Sequence, residues 1–193
     1  KAWRSVNNYG FASQDAVAPL VAAEFAKAAL SMPIAFLDKA GRYLPVAMMS
    51  PLSGRNLFVG RDGKWLAGYI PAVYRGHPFR LAQVEGSTEN VLCIDEESGL
   101  IGEPVEGANL FFESDGQLAP ATKAILDFLG AIENNRAATE VAVKALTEAQ
   151  LIQPWPLHVK VDGQDTAVNG LFRIDEAALN ALDDQWFIYL RQT

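Results

Sequence analysis

Trp65, Tyr69 and Arg75 fall within one short stretch of this chain, and the carboxylates Asp95-Glu96-Glu97 follow it. A guanidinium presents a planar fork that matches a carboxylate, and aromatic faces make a stacking wall. Trp65, Tyr69, Arg75 and Asp95 could therefore line a pocket for a small ligand. On a strand over 64–70, Trp65, Ala67 and Tyr69 share one face, with Lys64, Leu66, Gly68 and Ile70 on the other. The competing reading uses both aromatics for packing and lets Arg75 satisfy loop carbonyls. Asp95 and Glu97, two apart at a strand end, could share a face and act as a cation or acid–base pair, but a solvated loop entry gives the same run.

Other chemistries find less support. His77 and His158 lie far apart with no HxxxH or HxH spacing, so a metal site would need both to converge with carboxylates from elsewhere. His77, in a Gly-His-Pro turn, reads as exposed, and His158 alternates with Leu157 and Val159 on a strand. Cys93 is the single cysteine, which excludes an intramolecular disulfide and a cysteine-based zinc site. Its neighbours Val91, Leu92 and Ile94 make it a buried structural thiol on a strand. There is no GxSxG. Gly54-Arg55-Asn56 and Gly60-Arg61-Asp62-Gly63 have neither GxGxxG nor P-loop form, so a glycine cradle for a nucleotide is unsupported. No metal and no cofactor are expected.

The elements that must position these residues follow from spacing. Lys1–Asp15 is polar and aromatic without period and is expected to wrap the surface. Val17, Leu20, Val21, Glu24, Phe25 and Ala28 form a helical stripe across Ala16–Ser31, stopped by Pro33. Ile34–Leu37 and Tyr43–Met49 flank the turn Asp38-Lys39-Ala40-Gly41 as a hairpin. Asn56–Val59 and Lys64–Ile70 do the same around an Asp-Gly signal, and Phe79–Val84 and Asn90–Asp95 around Glu85–Glu89. Gly102–Gly116 is a connection with an apolar patch at Leu110-Phe111-Phe112.

The second half changes period. Ile125, Phe128, Leu129 and Ile132 predict an amphipathic helix over Pro120–Asn134, and Val143, Leu146 and Ala149 a weaker one over Thr139–Gln150, ended by Pro154 and Pro156. Leu157–Val161 and Ala167–Ile174 read as a hairpin around Asp162-Gly163. Asp175 suits the N-cap of a helix over Glu176–Leu182, and Trp186–Leu190 begins a further apolar element. The fold class is α+β: an antiparallel sheet of β-hairpins from the N-terminal half, with amphipathic helices from the C-terminal half packed on it.

The chain has 193 residues, half of them hydrophobic and a fifth charged, which suits one globular domain. Its net charge of −7 argues against nucleic acid or anionic membrane as partner. No apolar run reaches the roughly 20 residues of a membrane span. The lone cysteine and the lack of a visible secretory signal fit the cytoplasm, with a removed leader left open by the start at Lys1.

Several segments together resemble the SapC family. They are Asn56-Leu57-Phe58-Val59, Asp62-Gly63-x-Trp65, Gly68-Tyr69-Ile70-Pro71-Ala72, Arg75-x-x-Pro78-Phe79 and Leu92-Cys93-Ile94-Asp95, in the family's order and spacing. Phe128-Leu129 with Arg136 and Thr139, Ala145-Leu146, and Asn169-Gly170-Leu171-Phe172 with Asp175-Glu176 agree, as do Val21–Phe25 and Met32–Phe36. The resemblance implies a single SapC-like domain over 1–193, truncated or partly ordered at its C-terminus. It brings no established catalytic residues, and the family's usual aromatic where this chain has His77 implies no essential imidazole there. The family takes its name from a protein linked to secretion of surface-layer proteins. The expectation is thus a non-enzymatic binding or accessory protein whose partner is a protein or peptide. The alternative is a small-ligand sensor or enzyme built on Trp65, Tyr69, Arg75 and Asp95.

Overall fold

The computed structural model describes residues 1–83, 86, 90–161 and 163–192. Its strands are β1 (Ala2–Trp3), β2 (Val17–Pro19), β3 (Ile34–Lys39), β4 (Arg42–Met48), β5 (Phe79–Gln83), β6 (Asn90–Ile94), β7 (Ile101–Gly102), β8 (Asn109–Leu110), β9 (Ile152–Pro154), β10 (Leu157–Val161), β11 (Gln164–Val168) and β12 (Leu171–Ile174). Its helices are α1 (Phe25–Ala28), α2 (Ala72–Arg75), α3 (Pro120–Glu148), α4 (Glu176–Asn180) and α5 (Asp184–Gln192). The architecture is α+β, as the patterning predicts.

The main sheet is antiparallel in the order β2-β4-β3-β12-β9. Its centre is the predicted β3–β4 hairpin, in which Ala35 pairs with Val46 and both are fully buried. The turn suits a two-residue connection of the mirror-image type, because Ala40 (φ 54°) and Gly41 (φ 82°) are both left-handed. The Asp38 carboxylate accepts from the Gly41 amide at 2.8 Å and fixes it. Three smaller units accompany the sheet among the described residues: the β5–β6 hairpin, whose connection at 84–89 lies largely outside those residues, the β10–β11 pair, and a three-stranded unit in the order β7-β1-β8.

Four expectations need correction. Ala16–Ser31 is not one helix: Val17–Pro19 is an edge strand paired with β4, and the helical part is a 3-10 turn over Ala22–Glu24 running into α1. Pro19 explains the difference, since it lacks an amide donor and sits where only the edge of a sheet accepts it. Lys1–Asp15 is a surface wrap only in part: most of it is exposed, but Ala2, Trp3 and Ala12 are buried, and Trp3 lies between β7 and β8 with its ring edge-on to Phe79.

Third, the two predicted helices are one, spanning 29 residues. No proline interrupts 120–148, and the gap in apolar spacing is filled by Thr139, which is buried and donates its hydroxyl to the Asn135 carbonyl at 2.6 Å. Fourth, Ala167–Ile174 divides at Asn169-Gly170, where Gly170 takes φ 84°. β11 pairs with β10, whereas β12 crosses to the main sheet and pairs with β3 and β9. Residue 162 of the predicted turn lies outside the described residues.

Helix α3 is the spine. It packs on β4, β5, β8 and the 3-10 turn at Ala22–Glu24. Its Leu129, Ile125, Phe128 and Ile132 close a cluster with Trp3 and Phe79. Two buried threonines on the same helix reach the N-terminal segments. Thr122 accepts from the Trp3 indole N–H at 2.9 Å and donates to the Leu110 carbonyl. Thr139 accepts from the Ala22 amide at 2.8 Å.

Candidate functional site

The loop from Ser50 to Ile70 packs Phe58, Trp65, Ala67, Tyr69 and Ile70 on the core cluster that includes Ala18, Ala47 and Met49. Only one bridge, Val59 to Trp65, forms where a hairpin is predicted over 56–70. The turn at Gly60–Gly63 does form: Gly60 N donates to the Lys64 carbonyl and Gly63 N to the Gly60 carbonyl. The strand beyond it is lost because Trp65 turns back on its own loop, its indole N–H donating to the Tyr69 carbonyl at 2.7 Å. Burial still alternates as predicted, with Trp65, Ala67 and Tyr69 half-buried and Lys64, Leu66 and Gly68 exposed.

Tyr69 leads to the centre of the region, which is Glu24. This carboxyl group is only 5% exposed. Its Oε1 accepts from the Tyr69 hydroxyl at 2.8 Å and from the Ala72 amide at 2.7 Å, and its Oε2 accepts from the Val21 amide at 3.0 Å. The three donors satisfy a buried group whose isolation would be costly. They also tie the start of α2 to the 3-10 turn before α1. Arg75 closes the set from outside: Nε donates to the Ile70 carbonyl at 3.1 Å and Nη2 to the Tyr69 hydroxyl at 3.2 Å. Its guanidinium lies 4.9 Å from the Phe128 ring centre and 5.6 Å from that of Tyr69, a cation–π clamp between α2 and α3.

The phenols behave accordingly. Burial, then the hydrogen bond to Glu24 and its charge, push Tyr69 up to about 12, with Arg75 opposing. Tyr74, 4% exposed, donates to Asp15 Oδ2 at 3.0 Å and is raised further, first by burial and then by that carboxylate. Trp65 completes an aromatic cluster, 5.6 Å from both Tyr9 and Tyr74 and 6.0 Å from Phe58 between ring centres.

Of the four residues singled out from sequence, Trp65, Tyr69 and Arg75 are joined by hydrogen bonds and Asp95 stands elsewhere. Asp95 caps a short 3-10 turn over Glu96–Ser98, accepting from the Glu97 amide at 3.1 Å. It lines a cleft of about 400 Å³ with Glu97, Phe11, Asn8 and His77. His77 is half-buried rather than exposed, and its ring stacks on Phe11 at 3.9 Å. Burial lowers its pKa, against the raising effect of Asp95. His158 is exposed, 3.6 Å from Asp165. Cys93 is only half-buried on β6. Among the described residues no group of three His, Cys, Asp or Glu side chains could hold a metal ion.

A second cleft, about 550 Å³, opens on the other side of Asn8 and is lined by Arg55, Asn56, Leu57, Arg61 and Asp62 among others. Its frame is rigid for local reasons. Asn56 is buried and donates to the Ala12 carbonyl while accepting from the Phe58 amide. Gly63, at φ 78°, approaches Asn8 so closely that a Cβ would overlap the carboxamide. That carboxamide bonds the Asp62 carbonyl and the Gly10 amide.

The SapC family profile matches residues 1–193, the whole chain. The chain belongs to the SapC family. No curated protein and no solved structure matches it. The segments that carry the SapC resemblance are here largely frame-makers. Asn56 and Gly63 build the turn, and Tyr69, Ala72 and Arg75 close on Glu24. Sequence reading missed Glu24, although a carboxylate standing inside an otherwise apolar stripe was the available signal. It also passed over Arg55 and Arg61, which match no motif.

Proposed function

We propose that this SapC-family chain is a non-enzymatic binding or accessory protein that recognises a protein or peptide, in the service of protein secretion or peptide handling. The observation that carries this reading is α5. On that helix Phe187 and Ile188 are 58% and 53% exposed, with Trp186 and Tyr189 beside them at 36% and 42%. The helix rests on α3, where the Tyr189 hydroxyl donates to Glu148 Oε2 at 3.1 Å. Exposed apolar side chains gathered on one short helix are the kind of surface that interaction sites use, and a helix bearing aromatic anchors is a recurrent docking element. The net charge of −7 favours a protein over an anionic lipid surface as its counterpart.

The brace around Glu24 supports the same reading from the other side. Its donors and acceptors are matched within the fold, which suits a structural role better than turnover. The unpaired Cys93 is compatible with a reducing compartment such as the cytoplasm. Among the described residues no helix is long and apolar enough to cross a membrane.

A pull-down from host extract with the wild-type chain, Phe187→Ser/Ile188→Ser and Arg75→Ala in parallel tests the reading. The double variant should lose the proteins that wild type captures, while R75A keeps them. Recovery of one partner set by all three forms would sink the proposal, with circular dichroism confirming that each variant is folded.

A further inference from the structure

We propose that the cleft between Arg55 and Arg61 binds a multi-oxygen anion, a carboxylate or a phosphate. Both arginines are among the residues lining this cleft of about 550 Å³. Among the described residues neither has a carboxylate within ion-pair distance, and neither donates a hydrogen bond. Arg42, Arg80, Arg173 and Arg191 also lack such a partner among the described residues, so what sets Arg55 and Arg61 apart is that both line one cleft. Arg75 and Arg136 are engaged, the first by the Tyr69 loop and the second by Glu133 at 3.1 Å.

The cleft's single lining carboxylate does not cancel the two arginines. Asp62 is held by Lys64, with Oδ2 3.0 Å from Nζ, and its Oδ1 accepts from the Lys64 amide at 3.2 Å. The local balance is therefore positive. Across Asn8, the neighbouring cleft carries Asp95 and Glu97 with no lysine or arginine among its lining residues. An anion approaching this face is thus attracted on one side of Asn8 and repelled on the other.

The frame supports binding. The backbone that carries Arg55 and Arg61 is set by buried Asn56 and by the Gly63–Asn8 contact, so the two forks are mounted on fixed turns at Gly54 (φ 73°) and Gly60–Gly63. Guanidinium groups match planar carboxylate and tetrahedral phosphate oxygens equally well, and exposed Leu57 provides an apolar shelf beside them. The ligand oxygen can belong to a free small anion or to an acidic side chain of a bound peptide. No covalent step is implied.

The test is titration of the ¹⁵N-labelled chain with inorganic phosphate, with acetate, and with an end-capped tetraglutamate peptide, each at ionic strength matched with sodium chloride. Saturable shifts are expected at the amides of Asn8, Arg55–Leu57 and Gly60–Gly63, weakening as sodium chloride is added. Arg55→Gln/Arg61→Gln should weaken binding roughly tenfold or more, while Arg42→Gln, an exposed arginine elsewhere, should leave it unchanged. The peptide saturating at lower concentration than phosphate or acetate would place the anion on a partner, and the reverse order would point to a free metabolite. Shifts that do not saturate, that survive R55Q/R61Q, or that cluster at Asp95 and Glu97 would each overturn the proposal. If the double variant does not fold, the single variants R55Q and R61Q carry the same comparison.

Discussion

Arg75 and the pair Arg55 and Arg61 belong to one stretch of chain, yet the fold treats them oppositely. Arg75 has its Nε and Nη2 on an internal carbonyl and phenol and its plane over Phe128. Arg55 and Arg61 line an open cleft with their forks unclaimed. The residue type is the same, and so is the general company of aromatic, glycine and acid. What separates them is whether a buried acceptor lies within reach. Near Arg75 a network anchored on Glu24 was needed to hold α2 against the 3-10 turn, and the guanidinium completes it. At the Gly60–Gly63 turn the backbone bonds itself and leaves the side chains outward. Arginine-plus-aromatic is thus a poor guide to a ligand site until the hydrogen bonds are accounted for.

The largest effect should come from breaking the closed region. Glu24→Ala strands two backbone amides and a phenol, each worth about 1–3 kcal/mol if left dry. Urea unfolding should show a loss of about 3 kcal/mol or more. A loss near zero would mean that water replaces the carboxyl and that the brace is not what holds α2. Thr139→Val keeps the volume on α3 but leaves the Ala22 amide without its acceptor, and about 1–2 kcal/mol is expected by the same measurement.

Alkaline titration followed at 295 nm should show the brace directly. Unfolded tyrosine ionises near pH 10. Folded Tyr69 holds its proton to about 12, so between these values the folded state binds more protons and stability falls as pH rises. Tyr69→Phe should remove one late-titrating phenol and flatten that fall. Smallest in stability, and sharpest in contrast, is R55Q/R61Q. Its unfolding free energy should stay within about 0.5 kcal/mol of wild type, although it binds phosphate and acetate roughly tenfold more weakly or worse. A large destabilisation would mean that the two arginines serve the fold after all.

Much of this was legible where pattern has a simple period. The β3–β4 hairpin and the β5–β6 pair follow from alternation and turn residues, whereas Trp186–Leu190 reads only as an apolar element and its helical form came from the structure. The N-cap at Asp175, which accepts from the Ala178 amide at 3.0 Å, was legible too. The losses have identifiable causes. Thr122 and Thr139 sit at buried positions of α3 but read as polar, because a hydroxyl's partner cannot be seen along a sequence. Val17–Pro19 carried apolar spacing that a helix and an edge strand share. Glu24 fell on an apolar stripe and was counted with it, and only its three donors, one from its own turn and two from 69–72, explain why a carboxyl belongs there. Asp95 was grouped with Trp65 by proximity in sequence, but the β5–β6 hairpin carries it to the cleft beside His77.

The bond from Trp3 to Thr122 joins residues 119 positions apart. A chain leaving the ribosome therefore exposes β1, indole included, until α3 has been made and can receive it. Ala22 waits for Thr139 of the same helix. Contacts of such long range slow the search for the native state, although the cluster around Met32, Met49 and Tyr74 is drawn wholly from the N-terminal half. A fragment cut before α3 should keep that cluster, yet it would leave the Trp3 indole and the Ala22 amide without the two threonines that receive them.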